Sequence, residues 1–371
     1  MKNCDEMVSS LLERRERYVC EQKKKRRIVC GTAASLCCVC LTALFAVGVR
    51  NNGIFTSPTS LGKTSADAVY PGIKDTFDER NGEFPDSTAS NNKIVIKDGH
   101  AAEISYPLKE KAISVYIKRL NRLREKYFSG KNLNVYTTVI PDKIYYLADD
   151  VGCPVIDYDA LFDNVSKEVD AKFINIADKL TLDSYYTTDT HWKESKIVPV
   201  ADKLLEAMNA AKNEALSQAA TLSPFYGVYY GQSALPLAPD SVEYLLSERL
   251  KNATVLRADK TTKKLTEAKL YYEEKINAGD PYDIFLGGAC TVTVIQNTGK
   301  TNGKTLYLFS DSFGRSLAPL LLSDYDKVVF YDIRYIRMSQ ALEIMPIEPG
   351  SDVLMAYNIS AIAVSSNLQV D

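Results

Sequence analysis

Three short runs late in the chain set the tightest limit on its fold: "LYLFS" (306–310), "KVVFYD" (327–332) and "DVLMAY" (352–357). Each is apolar and β-branched or aromatic at almost every position, and segments of helical patterning lie between them. A strand with one wet face alternates apolar and polar residues; a strand apolar throughout must be covered on both faces. Such strands alternating with helices predict a mostly parallel sheet between two helical layers, a three-layer α/β/α architecture. The pattern extends upstream. "LNVYTTVIP" (133–141) reads as a strand closed by Pro141, and "KFINIA" (172–177) as a short strand. Residues 106–128 form an amphipathic helical pattern, 160–169 another, and 193–211 a third, with Pro199 in its first turns as a candidate kink. Residues 212–304 are less regular and read as an insertion or a set of long loops on that core.

The chain has 371 residues and a net charge of only −2, unevenly spread. Residues 1–27 carry nine Lys/Arg against five acids, so the remainder is net acidic and offers no basic footprint for nucleic acid. Directly after the block "KKKRR" (23–27) come 22 uncharged residues, 28–49. At about 1.5 Å per residue they span a bilayer core of about 30 Å. The charge asymmetry predicts a single-pass anchor in the cell membrane, with 1–27 a cytosolic tail and the larger part outside. The alternative is a cleaved signal peptide, since small residues follow the run. Residues 50–92 are rich in Asn, Ser, Thr, Gly and Asp and read as a flexible tether. The folded, extracytoplasmic domain then covers 93–371, starting near "NKIVIKDG" (92–99).

Six of the eight cysteines lie in the tail and the span; Cys153 and Cys290 remain in the outer part, as a disulfide or as two separate thiols. No Cys-x-x-Cys pair or Cys/His cluster is present there, so no metal site is expected, and no organic cofactor is indicated.

The chemistry centres on "SDSFGRS" (310–316). Ser312 falls where a buried strand turns into a helix, at the strand end where open sheets build their sites. Free N–H groups at a helix start favour an anion there. Ser312 is either a helix cap or a nucleophile. A nucleophile needs a base, and the chain has two histidines. His100 sits in a polar turn, "KDGHAAE" (97–103), and reads as solvated. His191 sits in "SYYTTDTHWKES" (184–195), two residues after Asp189. In an extended loop, positions i and i+2 face the same way, which would let Asp189 orient the imidazole. The other reading has Asp189 or Thr190 capping a helix while His191 and Trp192 pack on the sheet. Tyr185, Tyr186, Tyr226, Tyr229, Tyr230, Tyr271 and Tyr272 come in clusters; they either stack on sugar rings or fill the core.

In order, "YYTTDTHW" (185–192), "DPYDIFLGG" (280–288), "LYLFSDSFGRSLAPLL" (306–321) and "DVLMAYN" (352–358) resemble the DHHW family, which is similar to the AlgX/AlgJ-type alginate O-acetyltransferases. Those proteins resemble SGNH hydrolases with the order of the blocks permuted, the D-x-H element preceding the serine. The resemblance implies an SGNH-like three-layer fold and a Ser-His-Asp triad on Ser312, His191 and Asp189. It implies an oxyanion hole from the Ser312 N–H and the Asn358 side chain. Arg315, Gly287 and Gly288 fall at the rim or close to the substrate. It further implies a membrane-anchored O-acetyltransferase, or acetylesterase, acting on an envelope or exported polysaccharide, with a membrane-bound O-acyltransferase as acyl donor. Thr190 stands where the family name's motif has its first histidine, Ser310 where a glycine usually precedes Asp-Ser, and Ala289 and Cys290 follow "LGG" where an asparagine is usual. These departures favour the alternative, a catalytically silent glycan-binding or scaffold protein of the envelope.

Overall fold

The computed structural model describes residues 88–371 apart from 90–93, 98, 149–151, 153, 234–236, 260–261 and 300. The basic tail, the apolar span 28–49, nearly all of the tether and Cys153 lie outside the described residues. Among the described residues no helix is long and apolar enough to cross a membrane.

In chain order the strands are β1 (Thr88–Ala89), β2 (Ile94–Lys97), β3 (His100–Glu103), β4 (Asn134–Ile140), β5 (Lys172–Phe173), β6 (Ser217–Phe225), β7 (Asp240–Leu246), β8 (Thr254–Ala258), β9 (Leu265–Ala268), β10 (Val292–Gln296), β11 (Thr305–Ser310), β12 (Lys327–Tyr331) and β13 (Asp352–Asn358). The helices are α1 (Glu110–Leu123), α2 (Tyr158–Glu168), α3 (Val198–Ala207), α4 (Val228–Ser233), α5 (Glu248–Lys251), α6 (Gly314–Leu322), α7 (Met338–Ile344) and α8 (Ile359–Ala363). Eight strands form one sheet in the order β5-β4-β13-β11-β12-β10-β8-β9. The first five run parallel; β10, β8 and β9 continue the sheet antiparallel.

The all-apolar runs are explained by two covered faces. Tyr307, Phe309, Val329, Tyr331, Val353, Met355 and Tyr357 point to one side, where α1, α2, α7 and α8 pack. Leu306, Leu308, Val328, Phe330, Leu354 and Ala356 point to the other, against α3 and α6. Side chains alternate across a strand, so successive residues must both be apolar here. The mixed α/β architecture with a large, mostly parallel sheet agrees with the sequence reading.

Three local expectations are corrected. Pro199 does not kink a helix: α3 begins at Val198, so the proline sits in the first turn, where its missing N–H costs nothing. Residues 212–304 are not only an insertion. β8, β9 and β10 belong to the main sheet, and only β6 and β7 form a separate two-stranded ribbon. Their antiparallel pairing hid them, because they lack the apolar run followed by a crossover helix that marks the parallel strands. His100 opens β3 half-buried rather than solvated.

The topology creates one special place. From β11 the chain enters α6 on one face; from the adjacent β13 it enters α8 on the other. Chains leaving neighbouring strands in opposite directions open a crevice at the carboxyl ends. Ser312 and Asn358 lie on the two sides of it.

Candidate active site

The turn after β11 is built by Asp311. Its Oδ1 accepts the Phe313 N–H (2.9 Å) and its Oδ2 accepts the Asn358 N–H (2.8 Å), tying the ends of β11 and β13 together. Burial pushes the Asp311 carboxyl above its ordinary value, with Arg334 pulling it back. Phe313 occupies the N-cap of α6 and no side chain caps that helix. Ser312 therefore does no capping. Its N–H has no acceptor among the described residues. Its hydroxyl is half-buried, and Oγ lies 2.7 Å from His191 Nε2.

His191 Nδ1 lies 2.6 Å from Asp189 Oδ1, which also accepts the His191 backbone N–H at 2.9 Å. Asp189 Oδ2 accepts the Val228 N–H at 2.8 Å. Burial pushes the Asp189 carboxyl up, but the imidazole and these N–H groups outweigh it and hold the group below the usual carboxylate range. An ionised carboxylate only accepts hydrogen bonds, so Nδ1 carries a proton, and in the tautomer with Nε2 bare that nitrogen accepts from the Ser312 hydroxyl. Hydroxyl, imidazole and carboxylate in series can pass the serine proton to the ring as an oxygen nucleophile forms.

The imidazole is clamped. Tyr282 stacks on it with ring centres 3.8 Å apart and planes 5° from parallel. The Tyr282 hydroxyl pairs with Ser316 Oγ at 2.7 Å, and Trp192 Nε1 donates to the same oxygen at 2.9 Å. Tyr282 and Ser316 were not singled out from sequence, although Tyr282 lies inside the quoted block "DPYDIFLGG". Nothing in its spacing distinguishes a ring against histidine from a ring in the core.

The loop carrying Asp189 is held just as firmly. Asp240 Oδ1 accepts from the Thr187 N–H and hydroxyl, and Oδ2 from those of Thr188, all between 2.6 and 2.8 Å. The Ala101 N–H donates to Thr187 O at 2.9 Å and the Tyr229 N–H to Thr188 O at 3.1 Å. Behind His191, Glu194 is fully buried and accepts from the Leu245 N–H (2.8 Å) and the Tyr271 hydroxyl (2.9 Å). Burial pushes its carboxyl up to about 8 despite both donors. The folded chain then binds this proton more tightly than the unfolded one. The associated stability is complete below about pH 4.5 and is lost as pH rises towards about 8. Glu194→Gln is expected to flatten the fall in Tm over that interval, as read by thermal melts across pH.

The remaining expected site residues lie elsewhere in the network. Both donor bonds of the Asn358 amide go to backbone carbonyls, Ile140 O (3.1 Å) and Pro141 O (3.4 Å), and its Oδ1 caps α8 through the Ser360 N–H (3.0 Å). This amide has no proton left for an oxyanion; it joins β13 to β4 instead. Arg315 is buried, with Nη1 2.7 Å from Asp283 Oδ1. Gly287 and Gly288 have φ of +72° and +85°. A Cβ on Gly287 would lie 2.4 Å from Arg257 Nη1, and one on Gly288 2.3 Å from the Asp283 carboxyl carbon. Their side-chain space is taken by Arg257 and Asp283. Tyr185, Tyr186 and Tyr229 are buried. Cys290 is a buried free thiol. Among the described residues no cluster of His, Cys, Asp and Glu has the makings of a metal site.

No protein-family model and no curated protein matches the chain. Solved structures do. A DHHW family protein from Eubacterium siraeum DSM 15702 is 20% identical, with 76% of this chain and 98% of that one covered at a TM-score of 0.60. Bacillus cereus PatB1 is 16% identical, with 73% and 97% covered at 0.61. PatB1 with a sulfonyl adduct is 15% identical, with 75% and 98% covered at 0.60. The four ordered sequence blocks and the backbone thus agree: the chain shares its fold with a DHHW family protein and with PatB1.

Proposed function

We propose that the protein is a membrane-anchored, extracytoplasmic O-acetyltransferase, or acetylesterase, of the permuted SGNH type, acting on an envelope or exported polysaccharide. The observation that carries this is the uninterrupted series Ser312–His191–Asp189, at 2.7 and 2.6 Å, on the crevice at the sheet's carboxyl edge. Ser312 Oγ attacks the ester carbonyl while Nε2 of His191 takes its proton. The Ser312 N–H receives the developing oxyanion at the positive end of α6. Collapse expels the alcohol, which takes the proton from His191, and leaves an acetyl-serine. A sugar hydroxyl or water, deprotonated by His191, then releases the acetyl group. Asp189 stays ionised throughout and supports the imidazolium. The polysaccharide, the partner acyltransferase and the anchor at 28–49 rest on sequence resemblance and charge pattern.

The engagement of Asn358 by backbone carbonyls favours a second reading, a silent glycan-binding module, because one oxyanion donor is missing. Brief exposure to p-nitrophenyl acetate followed by intact-mass and peptide analysis decides between them. The enzyme reading predicts one acetyl group, on Ser312. No label under conditions where p-nitrophenyl acetate labels a known serine esterase leaves the silent module.

A further inference from the structure

Lys143 is only 1% exposed and belongs to none of the steps above. It follows β4 directly and opens a short 3-10 turn, Lys143–Tyr146. Its ammonium donates to Ala101 O of β3 and, at 3.3 Å, to Thr187 O, two residues before Asp189. It also lies 5.0 Å from the centre of the Tyr229 ring, on the helix whose N–H groups grip Thr188 and Asp189. The cation thus backs the loop that presents Asp189. Two carbonyls need only a neutral donor, whereas a buried ammonium costs several-fold more unless anions face it. The anions that do are Asp189 and the half-buried Asp240.

We infer that Lys143 is a positioning residue for the Asp189–His191 pair, the buried cation that keeps Asp189 ionised and in place while the imidazole is neutral. The inference rests on the enzymatic reading of this site. At rest the cluster holds Asp189, Asp240 and Lys143, one net negative charge; when His191 takes the serine proton it becomes neutral. Without the Lys143 charge, buried Asp189 and half-buried Asp240 share the cluster with no buried cation, which raises the cost of keeping Asp189 ionised. A protonated Asp189 no longer stabilises an imidazolium.

The charged groups around the ammonium are Asp189 and Asp240, which favour it, and Lys193, which opposes it; His100 on β3 and the Tyr229 ring also face it. Burial, ahead of these, brings the ammonium down to about 7. Because that lies below its value in the unfolded chain, loss of the proton relieves a folding penalty. Stability from this group therefore rises above about pH 7 while activity falls. A purely structural lysine would not separate the two.

The test compares full-length wild type, Lys143→Met and Lys143→Arg, by p-nitrophenyl acetate hydrolysis and thermal melts across pH. Wild type is expected to lose kcat above neutrality while its Tm rises with pH relative to that of Lys143→Met, a difference that cancels the falling contribution of Glu194. Lys143→Met is expected to show kcat lowered about tenfold or more at pH 7, with KM little changed and no alkaline limb. Lys143→Arg, always charged, is expected to keep activity into the alkaline range. A folded Lys143→Met with wild-type kcat and pH profile overturns the inference. So does an alkaline limb retained in Lys143→Arg, or a flat alkaline profile in wild type if the variants do not fold. With two histidines in the chain, nitrogen-15 labelling of histidine gives an independent reading. The low-field His191 Nδ1 proton should weaken with Lys143 deprotonation in wild type and be lost in Lys143→Met. That signal is measurable even if no Ser312-dependent turnover exists. Absent turnover thus overturns the enzymatic reading, and an unchanged His191 signal overturns the role of Lys143.

Discussion

Replacing Ser312 with alanine is expected to lower kcat for p-nitrophenyl acetate by about 10^4 to 10^6 with little change in Tm. The hydroxyl bonds only to His191 and caps no helix, so its loss leaves the fold's own hydrogen bonds intact. His191→Ala is expected to cost a similar factor, and the double variant little more, because the two groups act in one step. Equal rates in wild type and Ser312→Ala, measured with freshly folded protein of matched Tm, would sink the enzymatic reading. The His191 variant should lose stability as well. Its ring is stacked on Tyr282 and its Nδ1 supports a buried carboxylate.

Gly227→Ala is the second large effect expected, and it reaches the site without touching the reacting atoms. A Cβ at this position would lie 2.3 Å from Thr188 O and 2.4 Å from Asp189 Cβ. Both neighbours are fixed: Thr188 by Asp240, and Asp189 by the Val228 N–H and His191. Something must move, and the cheapest displacement pulls residues 227–229 away from the Asp189 loop. That breaks the Val228–Asp189 hydrogen bond and tilts the carboxylate. A misplacement on the order of 1 Å costs roughly 10^2-fold in rate. Overpacking adds about 1–3 kcal/mol of destabilisation, a Tm loss of several degrees. The expected signature is a kcat loss with Ser312 still present. A variant with wild-type kcat and Tm would show that the loop is looser than its hydrogen bonds imply.

The parallel core was legible because burial on both faces leaves a mark on every residue. Leu306 and Leu308 serve one helical layer while Tyr307 and Phe309 serve the other, so no polar residue interrupts the run. The antiparallel strands β8 and β9 are only partly buried and left no such mark, β10 is buried on both faces but interrupted by Thr293, and β6 is largely exposed along its length. Pro199 was legible as lying near a helix start, but whether it kinks the helix depends on the exact first residue, since a proline is tolerated in a first turn and disruptive one turn later. The family resemblance implies an oxyanion donor at Asn358. The same amide suits a helix cap, and which it becomes depends on the carbonyls of residues 140 and 141, more than two hundred positions away.

Patterning along the chain established the layered α/β class, through buried strands alternating with helices, and set Ser312 at a strand-to-helix turn and Asp189 two residues before His191 in a loop, while leaving the roles of these three side chains open. That His191 reaches Ser312, which ring clamps it, and which cation and carboxylate secure the Asp189 loop emerge from the packed chain alone. Those depend on Tyr282, Lys143 and Asp240, brought together by segments 39 to 121 residues apart in the paired contacts that hold them. Spacing within a sequence carries no information about such distances; packing of the two helical layers on the sheet sets them.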